Sequence, residues 1–327
     1  MHPARPTKLI IQIPCYNEEE TLPMTVADLP REVEGFDVVE WLVIDDGSAD
    51  RTSEIARELG VHHVVRHRRN RGLAAAFLTG LDAALKAGAT VIVNTDADNQ
   101  YQAAYIPDIT KPVLDGRADI VVGERPIEDV PEFSGIKKRL QRIGSWVVRR
   151  FSGTDILDAA SGFRAFDREA AMKLHVYGKY TYTMETLFQA GAEGLKVMSV
   201  PIKVNPQTRE SRLVKSSFQY VKRSAVTIIR SYAIYRPFRF FASIAIPFGV
   251  AGAALILRWL WFYWTEDPYQ SRLPSLLTAL ALLFIAGQLL VIAFLADNTA
   301  TSRRLLAQTR FEARTTELAQ LEDDDAA

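Results

Sequence analysis

Two carboxylates one residue apart, Asp96 and Asp98, end the apolar run "VIVNT", and Asn99 and Gln100 follow them. Side chains of this kind are hard oxygen donors, which suit Mg2+ or Mn2+. Magnesium commonly takes one or two carboxylates and completes its shell with substrate phosphates. An Asp-x-Asp alone is a weak signal, because aspartates also cap strands and helices. A second acidic pair, Asp45 and Asp46, follows "WLVI", where Asp46 to Ser48 also suits a turn and a cap. His62, His63 and His67 in "VHHVVRHRR" read as structural or solvated groups. Cys15 has no histidine near it in sequence and reads as a small buried hydrophobe, not a nucleophile. It is the single cysteine, so no internal disulfide forms.

The elements that must position these groups alternate from residue 8 to about 125. "KLIIQIP", "VVEWLVID", "TVIVNTD" and "ADIVVGE" have the composition of buried strands. Between them, "NEEETLPMTVADL", "SADRTSEIARELG" and "GLAAAFLTGLDAALKAG" have helical spacing, with a Ser or Asp cap before the second and Gly60 to stop it. Asn70 and Gly72 in "NRG" suit a helix start at least as well as a ligand contact. The alternation predicts an α/β domain, a mostly parallel sheet flanked by helices. Ligands of such sheets sit beyond the carboxyl ends of the strands, where both acidic pairs fall. No G-x-G-x-x-G follows a strand, which argues against a dinucleotide oxidoreductase. No Gly-rich loop follows the first strand, as a sugar nucleotidyltransferase would require.

Formal net charge is zero, so nothing global points to nucleic acid. Charge is nevertheless segregated. Residues 203 to 239 hold nine Lys or Arg against one acid, and residues 297 to 327 hold four basic and seven acidic side chains. The run Phe238 to Leu257 carries one charge, Arg239, and Leu273 to Ala296 carries none. About 20 apolar residues cross a hydrocarbon core, so spans are predicted at about 238–262 and 273–296, joined as a hairpin. Basic residues flank both runs on one side, and the aromatic cluster "WLWFYW" lies at the other end of the first. The amino-terminal domain and both termini are therefore expected in the cytoplasm, with the anchor in the plasma or inner membrane if the source is prokaryotic. The basic, amphipathic segment 210–236 reads as helices at the interface, and "GIKKRLQRIGSWVVRRFSG" reads as a second membrane-facing stretch. The expected organisation is a catalytic domain (1–207), interface helices (208–236), two spans (237–297) and a tail (298–327). No cleavable signal peptide is apparent in "MHPARPTKLIIQIP".

"IPCYNEEETL", "IDDGSADRT", "NRGLAAAFLTG", "DADNQY", "VVGER" and "LDAASGFRAF" occur in a fixed order. Together they resemble glycosyltransferase family 2, and most of all its polyprenyl-phosphate branch, which includes the dolichol-phosphate mannose and glucose synthases. The resemblance implies a GT-A nucleotide-sugar-binding fold and an inverting transfer of sugar from a nucleotide diphosphate to undecaprenyl or dolichyl phosphate. It places Pro14, Tyr16, Asn17 and Glu18 along the nucleotide pocket, with Asp45 and Asp46 near base and ribose. Asp96, Ala97 and Asp98 would meet the donor, and Asp96, Asp98 and Gln100 would hold the Mg2+ or Mn2+.

The acceptor phosphate is already anionic, so positioning and charge neutralisation matter more than a general base. Arg125, with Arg139, Ser161 and Arg164, is expected to hold that phosphate, because arginine presents a planar fork of donors. Asp98, Arg125 and Asp158 are the expected catalytic group, Asp158 as a base or as an orienting carboxylate. "TRESRLVKSS" matches the family's R-x-x-G-x-S-K spacing at Arg209 and Lys215 but has Arg212 and lacks the glycine; Arg209 and Lys215 are expected to clamp the donor diphosphate. A processive polysaccharide synthase would need Q-x-x-R-W, whereas Arg258–Trp259 has Leu255 at the glutamine position. A non-catalytic membrane scaffold with a degenerate domain is the other alternative. Self-association is left open.

Overall fold

The computed structural model describes residues 6–126, 135–176, 178, 182–206, 217–265 and 273–326; side chains at 135–141, 217–224 and 322–326 are not described. The four runs read as strands form β1 (Lys8–Cys15), β2 (Val38–Asp45), β4 (Val91–Asn94) and β5 (Ile120–Glu124). Three shorter strands complete one sheet: β3 (His63–Arg66), β6 (Arg164–Asp167) and β7 (Val197–Pro201). The order is β3-β2-β1-β4-β6-β5-β7. Strands β3, β2, β1 and β4 are parallel, β6 is antiparallel to both β4 and β5, and β7 is parallel to β5. The inserted β6 makes the sheet mixed. Burial explains the continuous apolar runs: Leu9, Ile10, Ile11 and Ile13 are all fully inaccessible, as strands covered on both faces require.

The helices are α1 (Leu22–Asp28), α2 (Thr52–Glu58), α3 (Leu73–Lys86), α4 (Ile106–Leu114), α5 (Gly135–Ser152), α6 (Arg168–Lys173), α7 (Thr183–Glu193), α8 (Ser217–Tyr235), α9 (Pro237–Thr265) and α10 (Leu273–Ala326). The chain divides into two units, Met1–Ile228 with Arg310–Ala327, and Ile229–Thr309.

In the second unit, α9 and α10 are long and apolar enough to cross a membrane, and their most apolar stretches are only 11% and 17% buried. That low burial is unlike core helices of a soluble domain. What is buried between them is small: Ala245 and Gly252 on α9, and Ala279, Ala286, Ala293 and Ala300 on α10, spaced every seven residues. A Cβ on Gly252 would stand 2.8 Å from Leu283 Cγ, and one on Gly249 would stand 3.7 Å from Ala286 Cβ, so the helices run antiparallel. Small residues let the backbones approach, the usual basis of helix association in lipid.

Residues 298–326 do not form a separate tail. They continue α10, because the change at Asp297 is one of polarity and not of helix propensity: no Gly or Pro follows Gly287. The last turns pack within the first unit. Arg314 Nη2 donates to Asp82 Oδ1 at 2.7 Å, the Lys173 ammonium lies 5.4 Å from the Phe311 ring centroid, and Leu318 is buried. His175 lies beneath them; burial first, and then Arg310 and Arg314, pull its pKa below the ordinary value. A folded-state pKa below the unfolded one means that stability is lost as pH falls. Between about pH 7 and 5 the wild type should lose more thermal stability than His175→Gln, which carries no titratable group there. Parallel Tm curves for the two would refute this coupling.

Candidate functional site

Strands β1, β2, β4 and β5 point the same way, so their carboxyl ends share one rim. Because β6 runs antiparallel, the loop ahead of it, residues 158–163, arrives at that rim too. Register fixes the neighbours: Cys15 pairs with Asp45, and Gln12 and Arg164 flank Asn94.

Pro14 and Cys15 end β1 inside the core. Burial, then the charges of Glu18, Asp45, Asp50 and Asp96, push the Cys15 thiol well above its ordinary pKa, which removes it as a nucleophile. Tyr16, by contrast, is 43% exposed at the rim. Asn17, next along, has φ of 55°, a left-handed conformation that asparagine tolerates. Its N–H donates to Ser48 Oγ at 2.9 Å, and its Oδ1 accepts from Ala49 N at 2.8 Å. Glu18 is buried and accepts from Thr21 Oγ1 at 2.7 Å, while its N–H donates to Thr52 Oγ1 at 2.9 Å. The loops after β1 and β2 are thus stitched into one wall.

Asp45 and Asp46 do the stitching on the second strand. Asp45, fully buried, accepts from Ser48 N at 2.8 Å and from Ser53 Oγ, and pairs with Arg66 Nε at 3.4 Å. Asp46 accepts from Arg71 N at 2.9 Å and Gly72 N at 2.7 Å, and meets His67 Nδ1 at 2.7 Å. Each carboxylate oxygen therefore already has an internal partner. His67, held by Asp46 and Thr79, is structural as expected. Gly47 has φ of 75° and leaves no room for a side chain, since a Cβ would lie 2.7 Å from Asn70 N.

At the end of β4, Ala97 is buried while Asp96 and Asp98 are half-buried. Asp98 Oδ1 accepts from Gln100 N at 3.1 Å. Gln100 O and Asn99 O accept from Asn205 N at 2.8 Å and Asn205 Nδ2 at 2.9 Å. Asn99, with φ of 54°, is the second non-glycine residue of left-handed backbone among the described residues. Among those residues no three His, Cys, Asp or Glu side chains cluster into a closed metal site. Asp96 and Asp98 are hard oxygen donors of the kind that suits a divalent ion drawing its other ligands from a diphosphate.

Opposite Asp96 stands the loop 158–163. Asp158 is fully buried and holds Arg125 through two bonds, Nε to Oδ2 at 2.7 Å and Nη2 to Oδ1 at 3.1 Å. The two residues are thereby brought together, which sequence separation did not foretell. Burial, and then the charge of Asp158, raise the pKa of neighbouring Glu124. Arg164 requires correction as an acceptor ligand. It is fully buried and donates to Ser161 O at 2.9 Å, Ala159 O at 3.0 Å and Thr186 Oγ1 at 2.8 Å, so it braces the loop from behind. Burial lowers its pKa to about 10. Ser161 Oγ is buried and has no hydrogen-bond partner among the described residues. The side chain of Arg139, and Arg209 and Lys215 entirely, lie outside the described residues.

Three residues that the motifs did not single out knit this rim together. Asn94 accepts from Gln12 Nε2 at 2.8 Å and donates to Tyr182 OH at 2.7 Å and Gly162 O at 2.9 Å. Tyr101 OH accepts from Gly162 N at 2.9 Å. Burial pushes Tyr101 to about 12 and Tyr182 well above its ordinary value, so both phenols stay protonated. A Cβ on Gly162 would stand 3.2 Å and 3.3 Å from the two Asp96 oxygens and 3.0 Å from Tyr182 OH. Gly162→Ala should therefore displace Asp96 and lower kcat roughly tenfold, since displacements well under 1 Å suffice for such losses. Unchanged kcat with a lowered Tm would show that Gly162 serves packing alone.

Residues 10–174 match the model of the family described as "Glycosyl transferase family 2", half of the chain and all but one strand of the sheet. The chain belongs to this family. It is therefore an enzyme that transfers sugar. It is 32% identical over 210 residues to a polyprenol monophosphomannose synthase of Mycolicibacterium smegmatis, covering 61% of this chain and 78% of that one. To a dolichol-phosphate mannosyltransferase of Pyrococcus furiosus it is 30% identical over 271 residues, 79% of this chain and 72% of the other. Among solved structures, glucosyl-3-phosphoglycerate synthase from Mycobacterium tuberculosis, in complex with Mn2+, UDP and glucosyl-3-phosphoglycerate, matches with a TM-score of 0.54 at 20% identity, over 70% of this chain and 80% of that one. That likeness establishes the GT-A-like fold of the family 2 enzyme.

Proposed function

We propose that this family 2 enzyme moves a sugar, with inversion, from a nucleotide-diphosphate sugar to a polyprenyl monophosphate, anchored by α9 and α10 with both termini in the cytoplasm. The observation that carries the reading is the pairing at one rim of an acidic set, Asp96 and Asp98, with an arginine held in place, Arg125 on Asp158. The first fits a donor diphosphate and its divalent ion, and the second a phosphate acceptor. The names of the relatives, polyprenol monophosphomannose synthase and dolichol-phosphate mannosyltransferase, support the same pairing.

Asp96 and Asp98 would hold Mg2+ or Mn2+, which when bound offsets charge on the leaving diphosphate. Arg125 would hold the lipid phosphate with its guanidinium fixed by Asp158. Since both Asp158 oxygens are on Arg125, Asp158 is a positioning residue and not a base. Tyr16, on the exposed side of the rim, would meet the nucleotide, and Arg209 and Lys215 the diphosphate. Membranes containing the enzyme, given radiolabelled nucleotide sugars and a short polyprenyl phosphate, should form a lipid-linked phosphosugar. Sugar transferred only to soluble hydroxyl acceptors, or polymerised on the same membranes, would overturn the reading.

A further inference from the structure

The end of α10 turns one stripe inward. Phe311, Arg314 and Leu318 are half-buried or buried, while residues 312, 313 and 315–317 between them are exposed, the pattern of a helix packed along one face. The stripe bridges two helices of the first unit. Toward α3, Arg314 donates to Asp82 at 2.7 Å, and the adjoining Glu317 lies 3.8 Å from Lys86. Toward α6, the Phe311 ring takes the ammonium of Lys173, which also pairs with Glu169. Half-exposed ion pairs stabilise little by themselves, so the weight falls on what the stripe joins.

Both helices lead to the site. α3 stacks Phe77 on Tyr182, with centroids 3.8 Å apart and rings 3° from parallel. α6 ends in a turn that α7 grips through Gln189, whose Oε1 accepts from His175 N at 2.8 Å and whose Nε2 donates to Lys173 O at 2.7 Å. Tyr182 stands at the start of α7, and its hydroxyl donates to the carbonyl of Gly162, the residue beside Asp96. The aromatic stack therefore joins α3 to α7 inside the domain, and the stripe of α10 joins α3 to the turn held by α7 at the surface. Close packing carries the link, because two rings in van der Waals contact cannot absorb a shift of the helix behind one of them. We propose that residues 311–318 are a strap that, by holding α3 to the turn after α6, fixes the Phe77–Tyr182 stack and with it the seat of Gly162 beside Asp96. Phe311, Arg314 and Leu318 are thus positioning residues of the transferase site. This deepens the reading above and rests on it only for the effect on transfer.

The test is amide hydrogen exchange on the full chain in detergent micelles, read by mass spectrometry. Arg314→Asp sets a second carboxylate against Asp82, and Leu318→Ala removes apolar burial from the same stripe without a change of charge. In both variants, peptides covering 158–166 and 182–190 should exchange roughly fivefold faster, and those covering β1 and β2 at the wild-type rate. Adding Asp82→Arg to Arg314→Asp should restore the wild-type pattern, because the ion pair re-forms with its ends exchanged. Faster exchange confined to 310–326 and 82–90 overturns the proposal, since the stripe would then be a cover with no reach to the site. A rise spread evenly over the sheet overturns it as well, since the stripe would then serve global stability alone. None of these outcomes depends on sugar transfer, so they are distinguishable from failure of the radiolabel assay. Where transfer is observed, Arg314→Asp should lower kcat roughly tenfold and the exchanged pair should recover it; an unchanged kcat would refute the link to Asp96.

Discussion

Asp98→Ala should lower sugar transfer by on the order of a hundred- to a thousand-fold, the usual loss when one preorganised charge-stabilising group is removed from an active site. The fold should survive. Asp98 is half-buried, and among its bonds is a local one to Gln100 N, whose own carbonyl stays tied to Asn205 N. The loss should fall mainly on kcat, and raising Mn2+ should recover only part of it, because one of two carboxylates remains. Asp96→Ala should behave differently. Its carboxylate stands against Gly162 and near Tyr101 and Tyr182, whose protons it helps retain, so removal should also loosen the loop 158–163. The measurement is transfer rate against metal concentration for both variants, with Tm recorded alongside. Full activity in Asp98→Ala would remove the acidic pair from the chemistry.

The half of this site on β1, β2 and β4 was legible in the sequence because parallel strands are covered on both faces. Their residues must then be apolar to the last position, and the first polar residue marks the rim. The other half was not. β6 is four residues long and opens with a buried Arg164, a residue that composition assigns to a surface. It was read as phosphate ligand, since residue type alone does not reveal that its partners are carbonyls three and five residues back and a threonine 22 residues on. Asn94, Tyr101 and Tyr182 meet Gly162 from 20 to 68 residues away, contacts created by the antiparallel insertion itself. The end of α10 shows a related blindness. Hydropathy marks where a chain leaves an apolar medium, and a helix with no breaker simply continues past that point.

Arg125→Ala and Asp158→Ala should each destabilise the protein by about 3–5 kcal/mol, because either one strands a charge that lost its water on folding. Arg125 retains only 11% of its side-chain exposure and Asp158 none. The double substitution Arg125→Met with Asp158→Leu should cost far less than the sum, since apolar groups of similar volume remove both desolvation penalties together. Catalysis should not recover with stability. The double variant keeps the acidic pair and the loops after β1 and β2, so its Kd for the nucleotide-sugar donor should stay near that of wild type, while transfer to polyprenyl phosphate is lost. Asp158→Asn separates the roles further: the amide oxygen still accepts from Arg125, but the guanidinium loses its counter-charge and one of its two acceptors. Its acceptor KM should rise with little change in the pH dependence of kcat. If Asp158 were instead the general base, Asp158→Asn would lower kcat by about a hundred- to ten-thousand-fold and erase the acid limb of the residual pH profile, leaving the acceptor KM untouched. A stable double variant that transfers sugar normally would show that the pair serves folding alone.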